Sequence, residues 1–266
     1  MNNKNEQEII YHYCSMESFL KIIETRRLRF SDALKTNDSK EIIYLWNIAK
    51  NSPKLSGCEK YSFEYFMDIC NILYLILCFT ECEDDLHMWL EYGKGGFSIG
   101  FDRQEIQKWL YEISQNGNHF SFPAIDDQVK LKKVDYLSRQ DIQDKVNCIF
   151  NCKNMDDAFH TFLDLAPTVK EKSWEIEKEY RAMLKMHLSN TSMVDCELDQ
   201  YHVDAYPKED DFLLYCDIPF CYSMIKKIIM APDNKISKQE LKQYLYLKGF
   251  PDIDDNMIEK SELGVR

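Results

Sequence analysis

The chain lacks any apolar run approaching the ~20 residues that a membrane-crossing helix needs, so no transmembrane span is expected. It also lacks both the G-x-G-x-x-G fingerprint and the P-loop, which removes the two commonest backbone cradles for phosphate; Gly93-Lys94-Gly95-Gly96 is glycine-rich but fits neither. No Cys-His signature points to a hydrolase. The 10 cysteines form no C-x2-C repeat. Cys78 with Cys82 and Cys148 with Cys152 are C-x3-C pairs, a spacing that argues against a zinc ribbon, so no metal is expected. The polar, charged opening residues are unlike a signal peptide, and reduced thiols in a cytoplasmic protein are the expectation. Positive charge is in deficit: a net charge of -12 disfavours nucleic acid or an anionic membrane as a partner for the whole surface. Two local basic stretches remain, Arg26-Arg27 with Arg29 and Lys130 with Lys132-Lys133, each ordinarily a solvated face. Internal repeats and low-complexity segments are absent.

What is present suffices for one large domain, since 45% of the 266 residues are hydrophobic. Alternation and helical periodicity predict strands at Ile9–Cys14 and Leu28–Phe30 around a helix from Ser15, and further helices from the Asp38-Ser39-Lys40-Glu41 capping box and near Tyr61 to Asn71. Another capping box, Asp102-Arg103-Gln104-Glu105, opens a helix to about Ser114. Val129 to Tyr136 reads as a strand, and Ser138 to Asn151 and Met155 to Leu165 as helices. Strands are expected at Glu179 to His187, Tyr201 to Ala205, Phe212 to Cys216 and Ile225 to Ala231, before a helix from Ser237 to Lys248 closed by Gly249. The organisation implied is one domain over 1–266, with a core built from 9–101 and 172–250 and a mainly helical insert over 102–171.

The densest stretch is Leu77 to Asp102: a strand, an acidic turn, a short helix Leu86 to Tyr92 capped by Asp84 or Asp85 and stopped by Gly93, and a second strand from Phe97. At 3.6 residues per turn Trp89 and Tyr92 share a face. An aromatic stripe at that spacing is ordinarily packing, but Tyr92 ends the helix beside Gly93, Gly95 and Gly96, where backbone can approach a flat ligand closely.

Two more polar clusters can carry chemistry. Tyr11-His12-Tyr13-Cys14-Ser15 delivers a histidine and hydroxyl groups to a helix N-terminus, with His12 and Tyr13 on opposite faces of their strand. In Lys172 to Arg181, Glu177 and Glu179 are two residues apart and would share one side of an extended strand with Arg181. Like charges so close raise a carboxyl pKa unless a cation or a ligand hydroxyl offsets them. The plain alternative is a surface ladder neutralised by Arg181.

His12-Tyr13-Cys14-Ser15, Leu28 to Ser31, Asn37-Asp38 with Glu41, Cys78-Phe79-Thr80, Met88-Trp89 with Tyr92, Gly96 to Phe101, Trp174 with Glu177, Glu179-Tyr180-Arg181, and Ile228-Ile229 with Pro232 together resemble a bacterial family, domain of unknown function 2971. The likeness runs from about residue 9 to about residue 235, with Cys14 where Thr is usual, Ser39 where Pro is usual and Thr80 where Ser is usual. That family is similar in turn to the ADP-ribosyltransferase-like fold, which implies an α+β protein with a mixed sheet core and helical insertions. The resemblance implies NAD as substrate, with Glu179 and Glu177 as catalytic residues: Glu179 would hold the nicotinamide-ribose hydroxyl. It implies a cofactor-binding set of His12, Tyr13, Ser15, Thr80, Trp89, Tyr92 and Arg181, in which His12 meets the adenosine-side ribose and Tyr92 stacks on the ring. A fixed carboxylate that offsets the charge of an oxocarbenium-like state would cleave the glycosidic bond without a metal.

The expectation is an enzyme that transfers ADP-ribose from NAD to a macromolecular acceptor, protein or nucleic acid, or hydrolyses NAD, in the manner of a toxin or phage-defence effector. The rival from another class is a non-catalytic module of the same fold that binds a nucleotide or a protein. A metal-dependent nuclease built on Glu177 and Glu179 lacks a third carboxylate motif.

Overall fold

The computed structural model describes residues 8–35, 39–51, 72–116, 129–151, 155–187, 203–208, 210–250 and 253–264. These fold as a mixed α/β protein with a mixed sheet, the α+β class expected. Up to the central stretch the elements are β1 (Ile9–Cys14), α1 (Met16–Thr25), β2 (Arg27–Asp32), α2 (Ser39–Ala49) and β3 (Ile72–Thr80). Next come α3 (Leu86–Met88), a π-helical turn (Trp89–Gly93), β4 (Phe97–Asp102) and α4 (Arg103–Asn116). Residues 130–187 form β5 (Lys130–Lys133), β6 (Asp135–Leu137), α5 (Arg139–Phe150), α6 (Met155–Leu165), β7 (Val169–Glu171), a 3-10 turn (Lys172–Glu177) and β8 (Glu179–His187). The chain ends with β9 (Val203–Lys208), β10 (Asp211–Pro219), β11 (Ile225–Met230), α7 (Lys238–Leu247) and β12 (Ile258–Lys260). Among the described residues no helix is long and apolar enough to cross a membrane.

Two compact units emerge, one from the described parts of Met1–Leu28, Cys78–Glu112 and Asp217–Arg266, the other from those of Arg29–Leu77 and Ile113–Cys216. In the first, β1 pairs antiparallel with β4 from Ile9↔Asp102 to Cys14↔Phe97 and meets β3 at Tyr11↔Thr80. β11 pairs antiparallel with β4 and parallel with β12. Side chains alternate across a strand, so Ile10, His12 and Cys14 share one face with their partners Phe101, Ile99 and Phe97. α1 covers that face: Ser15 caps it by accepting from the Ser18 amide, and Phe19 stacks on Phe97 at 3.7 Å between centroids. Removing such a buried ring costs about 3–5 kcal/mol, so Phe19 holds helix to sheet. Tyr11 and Tyr13 point the other way and pack with Met88, Trp89, Ile229 and Ala231.

In the second unit α2, α5 and α6 are joined by Trp46, Phe150 and Phe162, whose rings lie 5.5 to 6.0 Å apart along the chain of contacts. β8 pairs antiparallel with β5, β9 with β10, and β6 lies parallel to β7.

The expected strand Val129 to Tyr136 is two strands: the ladder with β8 ends at Val134, whose amide still donates to the Glu179 carbonyl, while the Glu179 amide turns to the Tyr136 hydroxyl. β8 keeps the limits read from its alternation, Asp102 caps α4 as its box predicts, and Ser237 starts α7 in a capping box with Glu240. The helix expected near Tyr61 to Asn71 lies outside the described residues, as do Asn37 and Asp38.

Gly96 leads from the π turn into β4, and a Cβ there would sit 2.1 Å from the Cys14 carbonyl oxygen and 2.7 Å from the Ser15 carbonyl carbon. Both are backbone atoms of the joint between β1 and α1, which cannot swing aside. Gly96→Ala is therefore expected to destabilise by about 2–3 kcal/mol in urea melts, whereas Gly264→Ala, with open space around it, is expected to leave the midpoint unchanged.

Candidate functional site

The three charged residues singled out near the end of the family likeness meet a fourth in the second unit. Glu177 closes the 3-10 turn, Lys178 takes a left-handed conformation (φ 43), and Glu179 opens β8. The two glutamates are thus not neighbours on one extended strand. The reversal at Lys178 nevertheless brings both to Lys170 of β7, whose Nζ lies 2.7 Å from Glu177 Oε2 and 2.9 Å from Glu179 Oε2. Arg181, two residues along β8 and so on the same face as Glu179, donates from Nε to Glu179 Oε1 (2.7 Å) and from its second terminal nitrogen to Oε2 (3.0 Å). Its other terminal nitrogen donates to the Pro167 carbonyl at 3.0 Å.

All four side chains are 6% exposed or less. Two carboxylates and two cations balance, and the low dielectric makes each pairing strong while making the loss of a partner costly. The backbone is tied in as well: the Glu179 amide donates to the Tyr136 hydroxyl at 2.8 Å. Burial by itself pushes the Glu179 carboxyl up, but the Arg181 and Lys170 charges and their hydrogen bonds overcome it and bring the group down to about 2. Burial pushes the Tyr136 phenol up, with the Glu179 amide bond opposing. Glu179 therefore stays ionised at every physiological pH, with both oxygens occupied. The surface ladder does not form.

In the first unit Tyr13 anchors the acidic turn. Its hydroxyl donates to the Glu83 carbonyl (2.9 Å) and accepts from the Asp85 amide (3.2 Å), while Asp85 Oδ1 caps α3 by accepting from the His87 and Met88 amides. Trp89 is 3% exposed, edge-on to Tyr13 at 4.7 Å, and its Nε1 donates to Asp84 Oδ1 at 2.6 Å. From Trp89 the helix widens: the Lys94 amide bonds to the Trp89 carbonyl, five residues back. The 3.6-residue spacing that put Trp89 and Tyr92 on one face does not apply inside a π turn. Both still pack against the Tyr11–Tyr13 cluster, Trp89 buried and Tyr92 partly so. The space at Gly93 is filled by the Trp89 ring, 2.3 Å from where a Cβ would stand, so this glycine makes room for the indole.

His12 faces away from that cluster, beside Phe79 at 6.0 Å. Its Nδ1 is 2.9 Å from the Cys78 carbonyl, which can only accept, and this assigns the proton to Nδ1 and leaves Nε2 an acceptor. Burial lowers its pKa despite the Cys78 bond, so the ring is neutral. Among the described residues Nε2 has no hydrogen-bond partner. Ser15 is engaged as the α1 cap, and Thr80 Oγ1 accepts from the Cys82 amide at 2.9 Å.

Of the expected set, then, Tyr13, Trp89 and Tyr92 come together, His12 lies on the opposite face of the same strand, and Glu177, Glu179 and Arg181 form their own cluster. Sequence reading missed Lys170 and Tyr136. Val169-Lys170-Glu171 is three residues long, too short for alternation to mark Lys170 as buried.

The family described as Protein of unknown function (DUF2971) matches residues 88–182 of the chain, a segment that contains the π turn and the charge cluster. No curated protein matches, and no solved structure does.

Glu179→Gln is expected to cost about 3–5 kcal/mol at pH 7, because it leaves a buried cation short of a partner. The native pKa lies below the ordinary 4.5, so the contribution of Glu179 is whole above that value and fades as pH falls toward 2. Urea melts of wild type and Glu179→Gln from pH 7 to pH 3 should thus draw closer toward the acid end without meeting, since the native carboxyl is still ionised at pH 3. Glu17→Gln, on an exposed pair with Lys21, should track wild type throughout.

Proposed function

We propose that the chain has an ADP-ribosyltransferase-like core and works as a nucleotide-binding module, with the Glu177–Glu179 pair serving structure. One observation carries this reading: both oxygens of Glu179 are already held by Arg181 and Lys170. A carboxylate that must orient a ribose hydroxyl and offset an oxocarbenium-like charge has to be reachable and carry unneutralised charge, whereas Glu179 is buried and holds two cations. Here the charge is neutralised before any ligand arrives. The nucleotide class rests on the resemblance, and the neutral His12, with Nε2 as an acceptor, suits a ribose hydroxyl as donor.

A second reading, NAD cleavage with or without transfer of ADP-ribose to a macromolecule, is favoured by the persistent ionisation of Glu179. It requires Arg181 or Lys170 to exchange its bond for one to substrate, leaving Glu179 to stabilise the developing positive charge. The two readings share a ligand and differ in turnover.

Melting the wild-type protein with millimolar NAD is expected to raise the midpoint by the amount set by RT ln(1 + [L]/Kd), about 2.7 kcal/mol at a ligand concentration 100 times Kd. Nicotinamide release should stay at the level of a no-protein blank. Release well above that blank would transfer the conclusion to the enzymatic reading, and a flat melting midpoint with NAD would remove the nucleotide.

A further inference from the structure

In the first unit α1 and α7 run side by side in the same direction. The Tyr244 hydroxyl donates to the Leu20 carbonyl at 3.4 Å and Lys248 Nζ to Glu24 Oε1 at 2.7 Å, so one offset of 224 residues holds a full turn apart, as it does only between parallel helices. Between them lies a cavity of about 270 Å³, with Met16, Leu20, Glu240 and Tyr244 at its mouth and the buried Phe97 and Leu241 at its floor. It is smaller than the roughly 300 Å³ at which small-molecule sites begin, and suits a side chain better than a ligand. Leu247, 81% exposed, stands on the same stripe of α7 as Glu240 and Tyr244, and Tyr246 beside it is exposed as well. A hole and a knob thus share one surface. The charges there are also unspent: Glu240 uses Oε2 for the Ser237 amide and hydroxyl, and among the described residues its Oε1 accepts no bond and no cation pairs with it. Lys248 has three protons and, among the described residues, one carboxylate partner, Glu24.

We infer that two copies of the chain pair through this surface around a twofold axis beside Tyr244, Leu247 of each entering the cavity of the other. A twofold axis crossing α7 at that point reverses the helix, so a residue a given number of places after Tyr244 faces the residue the same number of places before it in the second copy. Three places on, Leu247 meets Leu241 at the cavity floor; four places on, Lys248 meets Glu240, the carboxylate with an oxygen to spare. Shape and charge are satisfied by one operation, as an isologous contact requires. The reversal also brings the positive end of each helix beside the negative end of the other. Two helices of 10 residues present a face of about 15 Å by 20 Å, less than the roughly 800 Å² a side of a standard interface, so the pair forms and parts with concentration. None of the residues assigned to nucleotide binding takes part.

Sedimentation velocity of the full chain from micromolar to near-millimolar concentration, at an ionic strength that screens the net charge of -12 on each copy, is expected to show a monomer–dimer equilibrium. Leu247→Glu should weaken association by about tenfold or more and leave the melting midpoint of the dilute protein unchanged, because the side chain is exposed in the single chain. Glu240→Lys and Lys248→Glu should each weaken it too, since either one sets like charges opposite each other on both sides of the axis. Mixing those two variants makes every facing pair opposite in sign again, and the mixture should associate within about threefold of wild type. That recovery would uphold the twofold pairing, whereas a mixture no stronger than either variant alone would overturn it. A wild-type chain that stays monomeric throughout, association undiminished in Leu247→Glu, or growth beyond the dimer would each overturn it as well.

Discussion

The buried square of Lys170, Glu177, Glu179 and Arg181 is the constraint around which its unit is arranged. Four charges out of water tolerate no missing member, so the 3-10 turn, β7 and β8 must each arrive with the right side chain in place. The left-handed Lys178 is a consequence: only a reversal between the two glutamates lets a turn and a strand aim carboxylates at one ammonium group. The Arg181 bond to the Pro167 carbonyl and the Glu179 amide bond to Tyr136 extend the same requirement to the turn after α6 and to β6. A pair of well-packed apolar side chains would stabilise as much. What sets the ionic groups apart is the cost of losing one member, which leaves a buried charge uncompensated.

Local structure was legible wherever one physical signal acted alone. Alternation delimited β8 and put Glu179 and Arg181 on one face, and side-chain caps at Asp102 and Ser237 marked helix starts. Signals failed where two rules competed. Glu177 belongs to a turn rather than to the strand, and the spacing of Trp89 and Tyr92 presumed an α-helix where a π turn formed. The opposition of His12 and Tyr13 was readable from strand period alone, but not that Trp89 would join the Tyr13 side, since that depends on how the acidic turn folds back. Lys170 was illegible, because what buries it is the meeting of three separate segments.

Polar groups in this protein are of two kinds, and the difference bears on function more than their identity does. Those of the acidic turn and the charge square are spent on the protein itself: Tyr13, Asp84, Asp85, Glu177 and Glu179 all end on internal partners. The other kind keeps capacity in reserve, as Nε2 of His12 does as an acceptor. The residues with the most suggestive sequence context belong largely to the first kind. Chemistry-bearing side chains cluster in cores as readily as in sites, because a buried polar group must find company either way.

The π turn at Trp89–Gly93 fits one more residue into its loop than an α-helix would. Between its ends the chain is therefore metered: Asp85 fixes the entry through its cap, and Gly96, pressed against the Cys14 carbonyl, fixes the exit. Relatives of this chain should drift in length elsewhere, in the connections, and hold the count from Asp85 to Gly96 constant. Dropping a single residue would restore ordinary helical pitch while rotating the indole by about 100° out of its slot.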